Sequence, residues 1–472
     1  MAEKHKVGKD GILKDGVSHH PADSHDLQSY KDALAQLGET EAPIFIHASN
    51  PNERLFAANF DGTGNDGRNN PGHATNIAWL HDQISRRHEA GNTQVFSGYV
   101  EGPGTQKNFF VRTWDGARGH SYDERLERMY QQFIDQAKVW LDQNPNVQIR
   151  LADVGFSRGA EQAIGFSRLV HDRGIQDPSG AVYARDRDGD IVGVTYTRPP
   201  LVAPGKTAQV AVLFDPVGTG EPVQKHDRRP PPSVLHVYQL TAEDERRIHF
   251  RSSQIVDLGR SGRSTNSMVG GAHSDLGGGY HRDGLSTRAG NLGAIYLNGL
   301  SDTPFLSLRP ETDDPRLNVV HHSEKGMLLY RFAPKVDRTL PEGRIERLVP
   351  EDQLKHVADG YNPEPRNEAL ASQFEFRKVP IGSMPDAPTA ARSHDDPTAV
   401  VNRLLTAAAS GDNAAFRDAT RAAADHDAAR ALRDHAMTTV DQQQVTYQQQ
   451  ATQQQDMQQH EAPTRRQTVP MH

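Results

Sequence analysis

The sequence predicts an α/β protein built on a mostly parallel sheet, and two features carry that prediction. Between about residue 52 and residue 332, short apolar runs of strand length alternate with segments of helical periodicity. That alternation is the pattern of parallel strands covered on both faces. One of the runs stops at Gly155-Phe156-Ser157-Arg158-Gly159, and helical spacing resumes directly behind it. A single tight turn must therefore join that strand to that helix.

Taken in order, residues 1–51 form a polar, His-rich segment with one short amphipathic helix expected over Leu27–Leu37. His19, His20 and His25 in this segment are expected to be solvated. Arg54–Phe60 reads as a buried strand that stops at Asp61-Gly62-Thr63-Gly64-Asn65, and Thr93–Val100 as a second that ends in Glu101-Gly102-Pro103-Gly104-Thr105. Ser121–Gln143 reads as a long helix. Leu126, Met129, Tyr130, Phe133, Ile134, Ala137 and Leu141 recur there at three- and four-residue steps, uninterrupted until Pro145. Val147–Val154 is a short strand and Ala160–His171 a helix; Gln209–Phe214 and Val234–Leu240 are strands ending at Asp215 and near Asp244. Ala181–Thr197 reads as an inserted hairpin, because alternating residues flank the turn dipeptide Asp188-Gly189. The run Asp186-Arg187-Asp188-Gly189-Asp190 brushes a calcium-loop pattern, but its spacing is wrong and no Glu follows at the required distance.

The remainder divides by composition. Residues 333–394 are a Pro- and charge-rich extension. Residues 395–472 hold three Ala-rich helical stretches (Thr398–Ala409, Asn413–Ala424, Asp427–Ala436) that could form a small helical module. A Gln-rich tail over Gln442–His460 follows. That tail has too few apolar residues to offset chain entropy and is expected to be disordered.

Composition excludes several classes of function. With 53 Lys and Arg against 61 Asp and Glu, the formal charge is -8, which offers no general attraction to a phosphate backbone. Nucleic acid is therefore not an expected partner. Cys is absent, which removes thiol nucleophiles, disulfides, iron–sulfur clusters and Cys-type zinc sites. No His-Glu-x-x-His occurs, so no metal or other cofactor is expected. No apolar run approaches the roughly 20 residues of a membrane span, and the basic start lacks the apolar core of a secretory signal. If the protein leaves the cell, a Sec signal is not expected to take it.

The chemistry centres on Ser157. A Gly-x-Ser-x-Gly after a strand and before a helix is a nucleophile elbow, the signature of the α/β-hydrolase fold. By composition alone the five-letter pattern turns up by chance in roughly a fifth of such chains, so the flanking strand and helix carry its meaning. Gly165-Phe166-Ser167-Arg168 repeats the first four letters inside a helical segment, without the closing Gly. A nucleophilic Ser needs a base and an orienting acid, which follow in this fold in the order Ser, Asp or Glu, His. Asp215 and His273 fit that order. Asp244, after the next strand, competes with Asp215 for the acid role, and His321-His322 compete with His273 as base. The backbone amides of Arg158, behind the nucleophile, and of Gly62 or Thr63, behind the first strand, are the expected oxyanion donors. The alternative for Gly62 and Thr63 is a plain strand-to-helix turn held by Asp61.

Six blocks together resemble a known family: DGTGN at 61–65, YVEGPGT at 99–105, GFSRGA at 155–160, LFDPVG at 213–218, DERR at 244–247 and GAHSDLGGGY at 271–280. Over about residues 52–332 the chain resembles the type VI secretion phospholipase effectors of lipase family one. The resemblance implies a Ser-Asp-His lipid esterase with phospholipid membrane as its substrate. It implies delivery into rival bacteria from the producer's cytoplasm and a cognate immunity protein at home. The matching triad positions are Ser157, Asp215 and His273, with Asp244 still open as the acid. The Ala-rich stretches and Gln tail resemble the recognition domains of type IV secretion effectors in the Xanthomonas group, which implies docking to a secretion adaptor or coupling protein. A general esterase or amidase, or a non-catalytic interaction protein on a hydrolase scaffold, are the other readings.

Overall fold

A computed structural model of the chain describes residues 7–62, 74–102, 120–185, 191–218, 225–326 and 333–382. The chain divides into two compact units, 1–387 and 388–472. The described residues belong to the first; the Ala-rich stretches and the Gln-rich tail lie outside them.

The centre is a seven-stranded sheet. In chain order its strands are β1 (Glu53–Phe60), β2 (Val95–Val100), β3 (Gln148–Phe156), β4 (Ala208–Phe214), β5 (Val234–Ala242), β6 (Gly259–Ser261) and β7 (Ser264–Val269). In space the order is β6-β7-β5-β4-β3-β1-β2. All neighbours are parallel except the edge pair β6 and β7. Helices α2 (Asn76–Glu89), α3 (His120–Gln143) and α4 (Arg158–Arg173) provide the crossovers β1 to β2, β2 to β3 and β3 to β4.

Each central strand is buried on both faces, which is why these segments read as mainly apolar runs. Along β3 and β4 the side chains alternate between two cores. Ala152, Val154, Val210 and Val212 face α2, the N-terminal helix α1 (Ser24–Gly38) and the late helix α6 (Gly284–Asn298). Leu151, Ala211 and Leu213 face α3 and α4, where Met129, Phe133, Ile134 and Phe166 are fully buried. Burying each such large side chain contributes roughly 1.5–3 kcal/mol. The helical stripe from Leu126 to Ala137 is therefore the inner face of α3, and Trp140, not Leu141, continues it. The remaining helix that matters, α5 (His273–Gly277), is a short turn between β7 and α6.

The compact unit is wider than residues 52–332. Helix α1 is capped by Asp23, whose side chain accepts from the His25 and Asp26 amides, and it buries Tyr30, Ala33 and Leu37 against the sheet. The Tyr30 hydroxyl donates to Gly270 O. Residues 19–21 pair antiparallel with 319–321, and 41–43 with 376–378. The polar look of the first 51 residues thus hides an apolar stripe that the sheet needs. His19, His20 and His25 are exposed, but His20 contacts His322 and His25 contacts Glu243. The inserted hairpin forms over Ala181–Arg185 and Ile191–Tyr196; its turn, 186–190, lies outside the described residues.

Candidate active site

Strand β3 ends at Phe156, helix α4 starts at Arg158, and Ser157 is the corner between them with φ 60° and ψ -127°. A non-glycine residue in that region is strained, and such strain persists only where the surroundings enforce it. The flanking glycines do so. A Cβ on Gly155 would lie 2.3 Å from Gly159 O, and one on Gly159 would lie 2.2 Å from Phe60 O. Only glycine lets the start of α4 approach the ends of β1 and β3 that closely. Ser167, in the look-alike motif, sits within α4 and donates to Ile164 O.

Asp215 is the first residue after β4 and also has a positive φ, 43°. His273 opens α5. Its Nε2 accepts from the Ser157 hydroxyl at 2.7 Å, and its Nδ1 donates to Asp215 Oδ2 at 2.5 Å. Three residues far apart in the chain therefore form one continuous hydrogen-bonded file. Asp244 does not touch the imidazole. Its Oδ2 accepts from the Gly271 amide at 2.8 Å, so it braces the loop that carries His273. The glycines after His273 also have a use. A Cβ on Gly277 would lie 2.0 Å from the Phe156 ring, and that ring packs 4.6 Å from the imidazole. Phe250 closes another side at 5.1 Å.

Burial pushes the His273 pKa down and Asp215 pulls it back up, leaving it below the ordinary 6.5. The imidazole is thus neutral at pH 7 and able to take a proton. Burial works to raise the Asp215 carboxyl, but Arg338 and His273 outweigh it and hold it below the usual carboxylate range.

The expected oxyanion donors are placed unequally. Arg158 is the first residue of α4, directly behind the nucleophile. The Gly62 amide donates to Asp61 Oδ1 at 2.7 Å. Asp61 Oδ2 in turn accepts from Thr75 and Tyr99. Asp61 thus holds Gly62 and Thr75 by hydrogen bonds. Thr63 lies outside the described residues. Among the described residues, no group of three or more His, Asp or Glu side chains is arranged to hold a metal ion.

His321 has a different environment from a general base. Its Nδ1 meets Asp275 Oδ1 at 2.5 Å, its Nε2 meets Asp15 Oδ2 at 3.0 Å, and Tyr280 stacks on it at 3.9 Å. Both ring nitrogens are engaged. Burial opposes its charge, but Asp275 and Asp15 prevail and push its pKa up to about 9. His321 is thus a buried cation that ties the N-terminal segment to α5. A histidine whose folded pKa is raised adds stability in full below its unfolded pKa, and that stability is lost as pH rises through the folded value. Replacing His321 with Gln is expected to destabilise the chain by roughly 3–5 kcal/mol near neutral pH, because Asp15 and Asp275 lose their cation. Urea unfolding of the two chains should show that gap shrinking as pH rises from 6.5 towards about 9.

Two groups at this site carry no signal in the sequence. Arg338, fully buried, donates from Nη1 to Asp215 Oδ1. Glu245, also fully buried, chelates Arg247 and faces the His273 amide at 3.4 Å. Arg338 lies in a Pro- and charge-rich stretch with no motif around it, and Glu245 reads as one of several solvated charges.

Residues 55–186, which include the elbow, match the family model described as type VI secretion system phospholipase effector Tle1-like, catalytic domain. This stretch is Tle1-like. No curated protein matches the chain. Among solved structures, the chain is similar to an uncharacterized protein from Pseudomonas aeruginosa, at 16% identity and TM-score 0.34, covering 65% of this chain and 55% of that one. It is similar to the Tle1 effector bound to the VgrG spike of the type 6 secretion system, at 22% identity and TM-score 0.30, covering 51% and 52%. It also resembles acetyl xylan esterase, at 15% identity and TM-score 0.22, covering 54% and 97%. The chain thus spans little more than half the length of the first two. Of the Tle1-like stretch, Ser157 is the triad candidate it holds; Asp215 and His273 lie beyond its matched end.

Proposed function

We propose that the protein is a serine lipid esterase of phospholipase type that acts as an antibacterial effector, with Ser157, His273 and Asp215 as its triad. The observation that carries this is the unbroken file from the Ser157 hydroxyl through the His273 ring to the Asp215 carboxylate. Ser157 Oγ attacks the acyl carbonyl while His273 Nε2 takes its proton. The imidazolium that forms is stabilised by Asp215, and the Arg158 amide and the start of α4 face the developing oxyanion. His273 then returns the proton to the leaving alcohol, and water repeats the cycle to release the fatty acid. Gly62 and Thr63 are the second oxyanion donors in this reading, with the Gly62 amide exchanging Asp61 for the substrate oxygen.

The Tle1-like stretch supports phospholipid as the substrate class and delivery by a type VI machine. The partners that follow are the target membrane, a secretion-machine component engaged by residues 395–472, and an immunity protein in the producing cell. Before export the protein resides in the producer's cytoplasm. Among the described residues no helix is long and apolar enough to cross a membrane. The test is product analysis after incubation with mixed phospholipid vesicles. Free fatty acid and lysophospholipid are expected. Turnover of short soluble esters with intact vesicle lipid would contradict the phospholipase reading.

A further inference from the structure

Arg338 is fully buried, as is Asp215, and its guanidinium occupies a fixed place. Nη1 donates to Asp215 Oδ1 at 2.5 Å and to Ala242 O at 2.9 Å, while Nη2 donates to Phe250 O. The same Asp215 oxygen accepts from the Ala242 amide at 3.0 Å. Oδ1 is thereby held by two donors from outside the catalytic file, and Oδ2 is left for His273. Arg338 also fastens the carbonyl of Phe250, whose ring packs on His273.

We propose that Arg338 is a positioning residue for the ester hydrolysis: it clamps one oxygen of Asp215 so that the other is aimed at His273 Nδ1. The inference rests on the triad reading above. It makes the extension after residue 332 part of the catalytic unit.

A carboxylate held at one oxygen by two donors from different elements cannot rotate, and a triad loses rate steeply when its orienter strays. A buried cation beside Asp215 also weakens the field that Asp215 exerts on the imidazole. The charges facing His273 are Asp215 behind β4, Glu245 and Arg247 behind β5, and Arg338 through Asp215. Removing Arg338 leaves Asp215 as the uncompensated neighbour, so the imidazolium becomes easier to form. The base should then stay protonated to higher pH.

The experiment uses the full chain with Arg338→Met and Arg338→Lys, folding being checked by thermal melts. The first readout is the titration midpoint of His273, followed by nitrogen-labelled histidine NMR and assigned by its loss in His273→Gln. Arg338→Met is expected to raise that midpoint by about one pH unit, a shift that neighbouring charges commonly cause. Its kcat should fall roughly ten- to a hundredfold near neutral pH with KM unchanged, and recover as pH rises. Arg338→Lys keeps the cation but not the fork. It should leave the midpoint in place and lower kcat about tenfold; where Arg338→Met melts too early to study, this variant decides. An unmoved midpoint in folded Arg338→Met, or wild-type kcat in Arg338→Lys, overturns the proposal. The NMR midpoint does not depend on turnover. A wild-type chain that hydrolyses no ester would sink the triad reading while the midpoint still reports on Arg338.

Discussion

Ser157→Ala leaves the fold intact and removes ester hydrolysis. The residual rate is expected to be roughly a million-fold lower, as in other triads whose members act as a unit. The fold should survive because the elbow is enforced by Gly155 and Gly159, not by the hydroxyl. The Ser157 backbone contacts, its amide to Phe214 O and its carbonyl to the Ala160 amide, are untouched. The substitution does not relieve the φ of 60°, since alanine is no freer there than serine. Melting temperatures within a few degrees of each other, with esterase activity lost, is the expected pair of results. Purified Ser157→Ala that cleaves esters at a near wild-type rate would remove the elbow from the mechanism.

Asp215→Asn is the second large effect. The amide group can donate to His273 Nδ1, which fixes the proton on Nε2, the wrong nitrogen to accept from Ser157. A loss of about ten thousandfold in kcat follows from that tautomer change. The substitution also leaves the Arg338 cation buried without its anion, a cost of roughly 3–5 kcal/mol. Denaturant curves are therefore needed beside the kinetics. Asp244→Asn is the companion. Asp244 touches the Gly271 amide and not the imidazole, so a loss of about tenfold or less is expected. If Asp244→Asn were the more damaging for kcat while both chains remain folded, the acid role would move to Asp244.

What was legible in the sequence depended on periodicity and on motif context. The strands β1 to β5 and the helices α3 and α4 could be read because one physical rule dominates each, a mainly apolar run or a three- and four-residue stripe. Helix α6 could not be read that way. Its side chains from Gly284 to Asn298 are almost all buried, so it has no polar face and no stripe, and Gly290 and Gly293 look like breakers. A Cβ on Gly293 would meet the Phe214 ring at 2.4 Å, which explains the glycine as close packing. Strand β7, Ser-Thr-Asn-Ser-Met-Val, is polar yet buried, because Thr265 and Asn266 find partners in Thr40, Thr241 and Val256 O. Side-chain hydrogen bonds between distant segments leave no local trace.

The same division holds at the site. Ser157, Asp215 and His273 each sit in a local context that names a role, at a strand end or among glycines. Which of Asp215 and Asp244 reaches Nδ1 is a long-range distance that spacing does not encode. Arg338 and the Asp15–His321–Asp275 bridge draw on the segments flanking the central part of the chain. They are anchored by tertiary contacts alone, and composition offered no reason to attach those segments to the catalytic unit.

If Ser157 is an activated nucleophile, covalent labelling will reveal it without assuming a substrate. The full chain would be treated with a fluorophosphonate probe near neutral pH and the adduct mapped by peptide mass spectrometry. One adduct is expected, on Ser157, absent in Ser157→Ala and strongly slowed in His273→Gln. An adduct on another residue, or labelling that persists unchanged in Ser157→Ala, would contradict it.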